Sequence, residues 1–200
     1  MRKRFWMLVV AAAGWIYAPA VGYAAEEKAP VRIQVPDLAG QLTDPFEKKD
    51  QTTRAVVFFF ISNDCPIANK YAPELARIEK AYRPRGVRFW LVHANVDETS
   101  ESIRQHGKDY SLVAFSVLRD PERALTRAAK ATTTPQAAIF SAEGRLLYQG
   151  RIDDRFPALG KQRPQPTRQD VRVVLEALLA GKAAPYDHAP PVGCSIPSVP

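Results

Sequence analysis

Phe58-Phe59-Phe60-Ile61-Ser62-Asn63-Asp64-Cys65-Pro66-Ile67-Ala68-Asn69-Lys70-Tyr71 passes from an apolar run through a polar turn into helical spacing. The run starts at residue 54. Its β-branched and aromatic residues predict a strand over 54–61 that is buried on both faces. Ile67, Tyr71, Leu75, Ile78 and Tyr82 then recur at three and four residues, which predicts a helix over 66–82. Pro73 inside it removes a backbone donor and predicts a kink. Cys65 therefore stands where a strand hands over to a helix N-terminus. Exposed backbone N–H groups and the helix dipole favour the thiolate there, and the thiolate is the nucleophilic form.

The same alternation continues outward. Residues 87–96 read as a second buried strand, and 99–110 as a helix capped by Thr99 or Ser100. Residues 113–118 read as a short strand. Asp120-Pro121-Glu122 predicts a third helix, capped by Asp120 and running to about Ala131. Residues 136–141 and 146–150 predict a hairpin around Ala142-Glu143-Gly144-Arg145. Thr167 reads as the cap of a last helix reaching Ala180, with Val171, Val174, Leu175, Leu178 and Leu179 as its inner stripe and Gly181 as its stop. Upstream, residues 31–35 predict an edge strand. Strands alternating with helices, closed by a hairpin and a helix, argue for one α/β domain over 25–181 with a central mixed sheet flanked by helices.

The N-terminus reads as an export signal over 1–24. Arg2, Lys3 and Arg4 precede an apolar stretch from Phe5 to Tyr17, and Gly22-Tyr23-Ala24 offers small residues before Ala25. The expectation is a periplasmic or secreted body with no stable membrane insertion after cleavage, in a compartment where disulfides persist. The formal net charge is +7, of which those three signal residues supply three. The remaining Lys and Arg are interspersed with acids and form no block, so nucleic acid is not an expected partner.

Residues 182–200 form a Pro-rich tail carrying Cys194, and Cys65 and Cys194 are the chain's 2 cysteines. They allow one disulfide, a redox pair or two independent thiols. The apolar patch in Pro190-Pro191-Val192-Gly193-Cys194-Ser195-Ile196-Pro197, flanked by stiff prolines, predicts a tail docked on the domain with Cys194 brought toward Cys65. That approach reads first as a reversible redox pair, with a static staple and unrelated thiols or metal ligands as the other open readings.

Thr132-Thr133-Thr134-Pro135 directly precedes the hairpin. With Cys65 opening a helix after a buried strand, this order resembles the thioredoxin fold over roughly 31–180. The resemblance implies a cis peptide at Pro135, packed beside the reactive sulfur. Within that superfamily, Asn63-Asp64-Cys65-Pro66-Ile67-Ala68-Asn69-Lys70-Tyr71, Thr134-Pro135-Gln136 and Tyr148-Gln149-Gly150-Arg151-Ile152-Asp153-Asp154-Arg155 look most like the peroxiredoxin-like group, the redoxin or alkyl hydroperoxide reductase/thiol-specific antioxidant family. That likeness implies a redox-active Cys65, a peroxide or disulfide substrate, an external thiol donor protein and no organic cofactor. Two positions depart from the relatives. Ala68 stands where a Cys-x-x-Cys reductase has its second cysteine. Phe58 stands where a peroxiredoxin has Pro, although Ser62 matches the hydroxyl three residues before the cysteine.

A thiol peroxidase needs a thiolate, a group that orients the peroxide, and a charge that stabilises the leaving oxygen. Cys65, Ser62 and either Arg119 or Arg151 are the candidates. The implied topology returns the strand before Arg151 to the Cys65 end of the sheet and favours Arg151. The expected site is thus Cys65, Cys194, Ser62, Pro135 and Arg151. The rival reading is a non-catalytic thioredoxin-fold binding or copper-delivery module holding the metal through Cys65, Cys194 and His188. His93 and His106 read as structural.

Overall fold

The apolar run becomes β3 (Ala55–Ile61), whose seven residues are all buried, and the central sheet grows outward from it. The computed structural model describes residues 33–47 and 52–196. β4 (Val87–His93) lies parallel to β3 on one side, with Ile61 opposite His93. β7 (Gln136–Ser141) lies antiparallel on the other, with Phe60 opposite Gln136. β5 (Ser116–Arg119) extends the sheet beyond β4, and β8 (Leu146–Gly150) extends it beyond β7. A parallel neighbour requires a crossover. α1 (Pro66–Tyr82) supplies it between β3 and β4, and α2 (Ser100–Asp109) between β4 and β5. The result is the expected α/β domain with a mixed sheet.

Alternate residues of β3 feed opposite cores. Val57, Phe59 and Ile61 join Tyr71, Leu75 and Ile78 of α1 and Val171, Val174 and Leu175 of α4 (Asp170–Leu179). Val56, Phe58 and Phe60 join Val35, Phe46 and Phe140, together with Leu125 of α3 (Ala124–Ala128). This is why the run shows no polar alternation: each face has a cover. Burying one such phenylalanine contributes about 1.5–3 kcal/mol.

Several boundaries differ from the expectation, each for a local reason. The third helix starts at Ala124, not at Pro121. Asp120 still caps it, but from a full turn upstream. Its carboxylate accepts from Thr126 N–H and Thr126 Oγ at 2.7 Å each, and Arg123 takes a left-handed conformation to bridge the gap. Thr167 does not cap α4. Its hydroxyl and N–H donate to Asp154 instead, as does Arg168 N–H. Burial pushes the Asp154 carboxyl up, but those donors overcome it and hold it at about 2. The third strand begins at Ser116, not at 113, because Val113 lies exposed and only Ser116 onward pairs with β4. The N-terminal strand is β1 (Val35–Pro36), which pairs with β2 (Leu42–Thr43). Pro73 sits on the exposed face of α1, and the helix continues past it.

The tail is docked over its described length. It adds β9 (His188–Ala189) to the central sheet, parallel to β8. It then adds β10 (Cys194–Ser195), antiparallel to β6 (Thr133–Thr134). Gly150 makes the first contact possible, because a Cβ there would lie 2.0 Å from Ala189 carbonyl oxygen. The expected signal segment lies outside the described residues. Among those residues no helix is long and apolar enough to cross a membrane.

Candidate redox site

The turn before α1, the β6 loop and the tail converge at the helix N-terminus. Cys65 occupies the cap position with extended backbone. The Thr134–Pro135 peptide is cis, as the resemblance implied. The protonated Cys65 Sγ donates to Thr134 carbonyl oxygen at 3.0 Å. The pairing of β10 with β6 sets Cys194 opposite Thr134 and brings its thiol within hydrogen-bonding reach of Cys65. The two thiols are not joined. Cys65 is fully covered, whereas Cys194 is exposed.

The surroundings drive the two thiols apart in acidity. Burial pushes Cys65 up, but the Cys194 thiol, the Ala68 N–H, the Thr134 hydroxyl and the Cys194 N–H all donate to its ionised form and carry it below its ordinary value. Burial raises Cys194, and its bond to Cys65 raises it further, to about 11. One sulfur is thus disposed to attack, and the other is kept as a proton-bearing neighbour.

A cavity of about 140 Å³ adjoins the pair, lined by Ser62, Cys65, Asn95, Thr134, Cys194 and Ile196 among others. Pockets for larger ligands run to about 300–1,000 Å³, so this one suits a few waters or a small hydroperoxide. No Lys, Arg or His lines it.

Beneath the cavity lies a buried polar network. Ser62 Oγ donates to Glu98 Oε1 at 2.8 Å, and Asn63 N–H donates to the same oxygen at 2.6 Å. Glu98 Oε2 meets His93 Nδ1 at 2.7 Å, with both side chains almost wholly buried. Burial raises the Glu98 carboxyl, but its bonds to His93, Ser62 and Asn63 outweigh that and lower it. The Ser62 proton is therefore committed to Glu98, and the lone pairs of Ser62 are what remain for a ligand. His106 Nε2 lies 2.7 Å from Asn69 Oδ1, and Asn69 Nδ2 donates to Asn63 carbonyl oxygen, which extends the network to α2. Nothing local in the sequence marks Glu98, since an acid before a capped helix looks like ordinary loop polarity. Its partners are 5, 35 and 36 residues away.

The other expected residues fall as follows. Arg151 lies at the β8 exit, but its Nε is bound to the fully buried Asp170 at 2.7 Å, and it does not line the cavity. Arg119 Nη2 donates to Glu98 carbonyl oxygen at 2.9 Å. Neither guanidinium therefore takes the expected place beside the cavity. His188 lies 2.6 Å from Gln149 Nε2 through its Nδ1. Among the described residues no group of three or more His, Cys, Asp and Glu is placed to hold a metal ion. The copper reading required Cys65, Cys194 and His188 to meet, and the geometry does not supply that cluster.

The model of the AhpC/TSA family matches residues 26–149, more than half of the 200-residue chain. The chain belongs to that family. A hypothetical protein from Sinorhizobium meliloti 1021 is similar at 29% identity and TM-score 0.70, with 84% of this chain and 91% of that one covered. An uncharacterized conserved protein from Geobacillus kaustophilus is similar at 26% identity and TM-score 0.72, covering 86% and 92%. A putative thioredoxin from Neisseria meningitidis shares the fold at 23% identity and TM-score 0.50, over 60% of this chain and 77% of that one. No curated protein matches. The fold is thioredoxin-like.

Proposed function

We propose that this AhpC/TSA family member is an exported thiol oxidoreductase that reduces a small hydroperoxide through Cys65 and closes a disulfide with Cys194. The observation that carries this reading is the pair of adjacent thiols with opposed acidities beside a cavity of about 140 Å³. The Cys65 thiolate attacks the near oxygen of the hydroperoxide. An S–O bond forms, the O–O bond breaks, and the departing alkoxide takes a proton. Cys194 then attacks the Cys65 sulfur. An S–S bond forms, the S–O bond breaks, and water leaves with the Cys194 proton. An external thiol donor returns both sulfurs to thiols by exchange.

Mass spectrometry after one equivalent of hydrogen peroxide tests the cycle. The expected product is a Cys65–Cys194 disulfide, lighter by two hydrogens. A stable sulfenic acid would remove Cys194 from the reaction, and unchanged thiols would remove peroxide chemistry altogether.

The export half of the reading rests on the sequence of residues 1–24. A mature chain beginning at Ala25, found by N-terminal sequencing of periplasmic or secreted material, is the expected result. An intact Met1 in the cytoplasm would refute it.

A further inference from the structure

Cys194 sits in a small sheet of its own, β6 with β10, which shares no ladder with the central sheet among the described residues. Within that sheet the tail is well held. Ile196 N–H donates to Thr132 carbonyl oxygen at 2.9 Å, and Thr134 Oγ donates to Cys194 carbonyl oxygen at 3.4 Å. Cys194 bonds Cys65 through its thiol and its N–H. Gly193 lies so close that a Cβ would fall 2.0 Å from Thr134 carbonyl oxygen, and Val192 and Ile196 pack against the two cores. Cys65, by contrast, stands between β3 and α1. How the small sheet is placed on the large one therefore decides how the two sulfurs meet.

Two glutamine side chains of the central sheet make that connection. Gln136, in β7, is wholly buried. Its Oε1 accepts from Thr132 N–H at 3.0 Å, and its Nε2 donates to Lys130 carbonyl oxygen at 3.3 Å. A backbone donor and a backbone acceptor thus fix which way the amide faces. Its other Nε2 proton goes to Gln149 Oε1, on β8, at 2.9 Å. Gln149 Nε2 then donates to His188 Nδ1, on β9, at 2.6 Å. Nδ1 must accept there, so the neutral His188 ring carries its proton on Nε2. Nδ1 also lies 3.2 Å from Gln149 carbonyl oxygen, which cannot donate to it. The chain of bonds has one polarity from end to end.

This chain holds both approaches to Cys194. One end grips the segment that leads into β6, the strand opposite the cysteine. The other end grips His188, and only residues 190–193, two of them proline, separate β9 from Cys194. We infer that Gln149 is a positioning residue for disulfide closure: through Gln136 and His188 it sets β6 and the tail at the spacing at which Cys194 closes on Cys65. This rests on the two-thiol cycle proposed above. Gln149 does not line the cavity beside the sulfurs, and it acts through its neighbours. A tether pinned at both ends confines the second thiol and raises its effective concentration at the first.

The test reads that effective concentration directly, in glutathione redox buffers with the otherwise unaltered protein. Two protein thiols and one glutathione disulfide give the Cys65–Cys194 disulfide and two glutathione thiols, and mass spectrometry of acid-quenched samples gives the ratio. Gln149→Leu keeps the bulk of the side chain and removes both amide bonds. It should lower the effective concentration by about tenfold, as expected for the loss of one or two hydrogen bonds. After hydrogen peroxide, its dimedone-reactive sulfenic acid should persist longer than in the wild type. An unchanged effective concentration overturns the inference.

Two further variants tell this chain of bonds from a general loss of structure. Gln149→Glu still accepts from Gln136 Nε2 and accepts from His188 once Nδ1 carries the ring proton, so it should recover most of the loss. His188 is exposed, and His188→Ala should cost about threefold in effective concentration with an unchanged melt. Joined to Gln149→Leu it should add nothing, since both break one chain. Failure of the rescue, or full additivity, overturns the inference. The wild type separates the two readings. If it forms the disulfide and Gln149→Leu forms it equally well, only the positioning role falls. If the wild type forms none, the two-thiol cycle falls as well.

Discussion

Replacing Cys65 with Ser should leave a folded protein that consumes no peroxide. The loss should be on the order of 10⁴-fold or more, as when an enzyme's nucleophile is removed. Serine has the same shape minus a little volume, and its hydroxyl can keep the donation that Cys65 Sγ makes to Thr134 carbonyl oxygen. What disappears is the ionised form. The donors that lower the Cys65 thiol cannot bring an aliphatic hydroxyl within reach of neutral pH. Stopped-flow peroxide consumption with a thiol donor, together with an unchanged circular dichroism melt, checks this. Full activity in Cys65→Ser would end the assignment.

Cys194→Ala makes the useful contrast. It should permit the first oxidation, so that a dimedone-reactive sulfenic acid accumulates on Cys65 and the cycle stalls. It should also raise the Cys65 pKa, because the Cys194 thiol that donates to its thiolate is gone.

Glu98→Ala should cost about 3–5 kcal/mol of stability, as when one partner of a buried pair is removed. It strands three groups at once: His93 Nδ1, Ser62 Oγ and Asn63 N–H. The turn that aims Cys65 loses its floor. Activity should fall with stability, through misplacement of Ser62 and Cys65. Glu98→Gln keeps an acceptor for Ser62 and Asn63 and should recover much of the loss.

The pH dependence has a definite sign. The Glu98 carboxyl is lowered in the folded protein. Its contribution is therefore complete above the unfolded value, near 4.5, and drains away as pH falls through the lowered one. The urea midpoint of the wild type should fall across that acid range, and Glu98→Gln should flatten the fall. A parallel acid profile for the two proteins would refute the role given to the carboxylate.

Much of the architecture could be read from residue order because its causes are local. The apolar run at β3 and the three-and-four spacing of α1 each carry their own period. Thr99 does cap α2, accepting from Ser102 N–H at 3.1 Å. The third helix starts later than residue order suggests because one Asp can cap from several distances, and only packing chooses among them. Thr167 leaves the cap position for a similar reason, since Asp154, 13 residues away, competes for its hydroxyl.

The chain's sequence alone determined that a cysteine stands at the end of a doubly buried strand and opens a helix. Composition and periodicity act within a few residues, so they suffice for that. The tertiary structure alone decided what surrounds the sulfur. It turned Arg151 toward Asp170, brought Glu98 under Ser62 and laid Gly193 against Thr134. Those outcomes depend on competition among partners distant in the chain, where burial and hydrogen-bond satisfaction, not spacing, choose the winner.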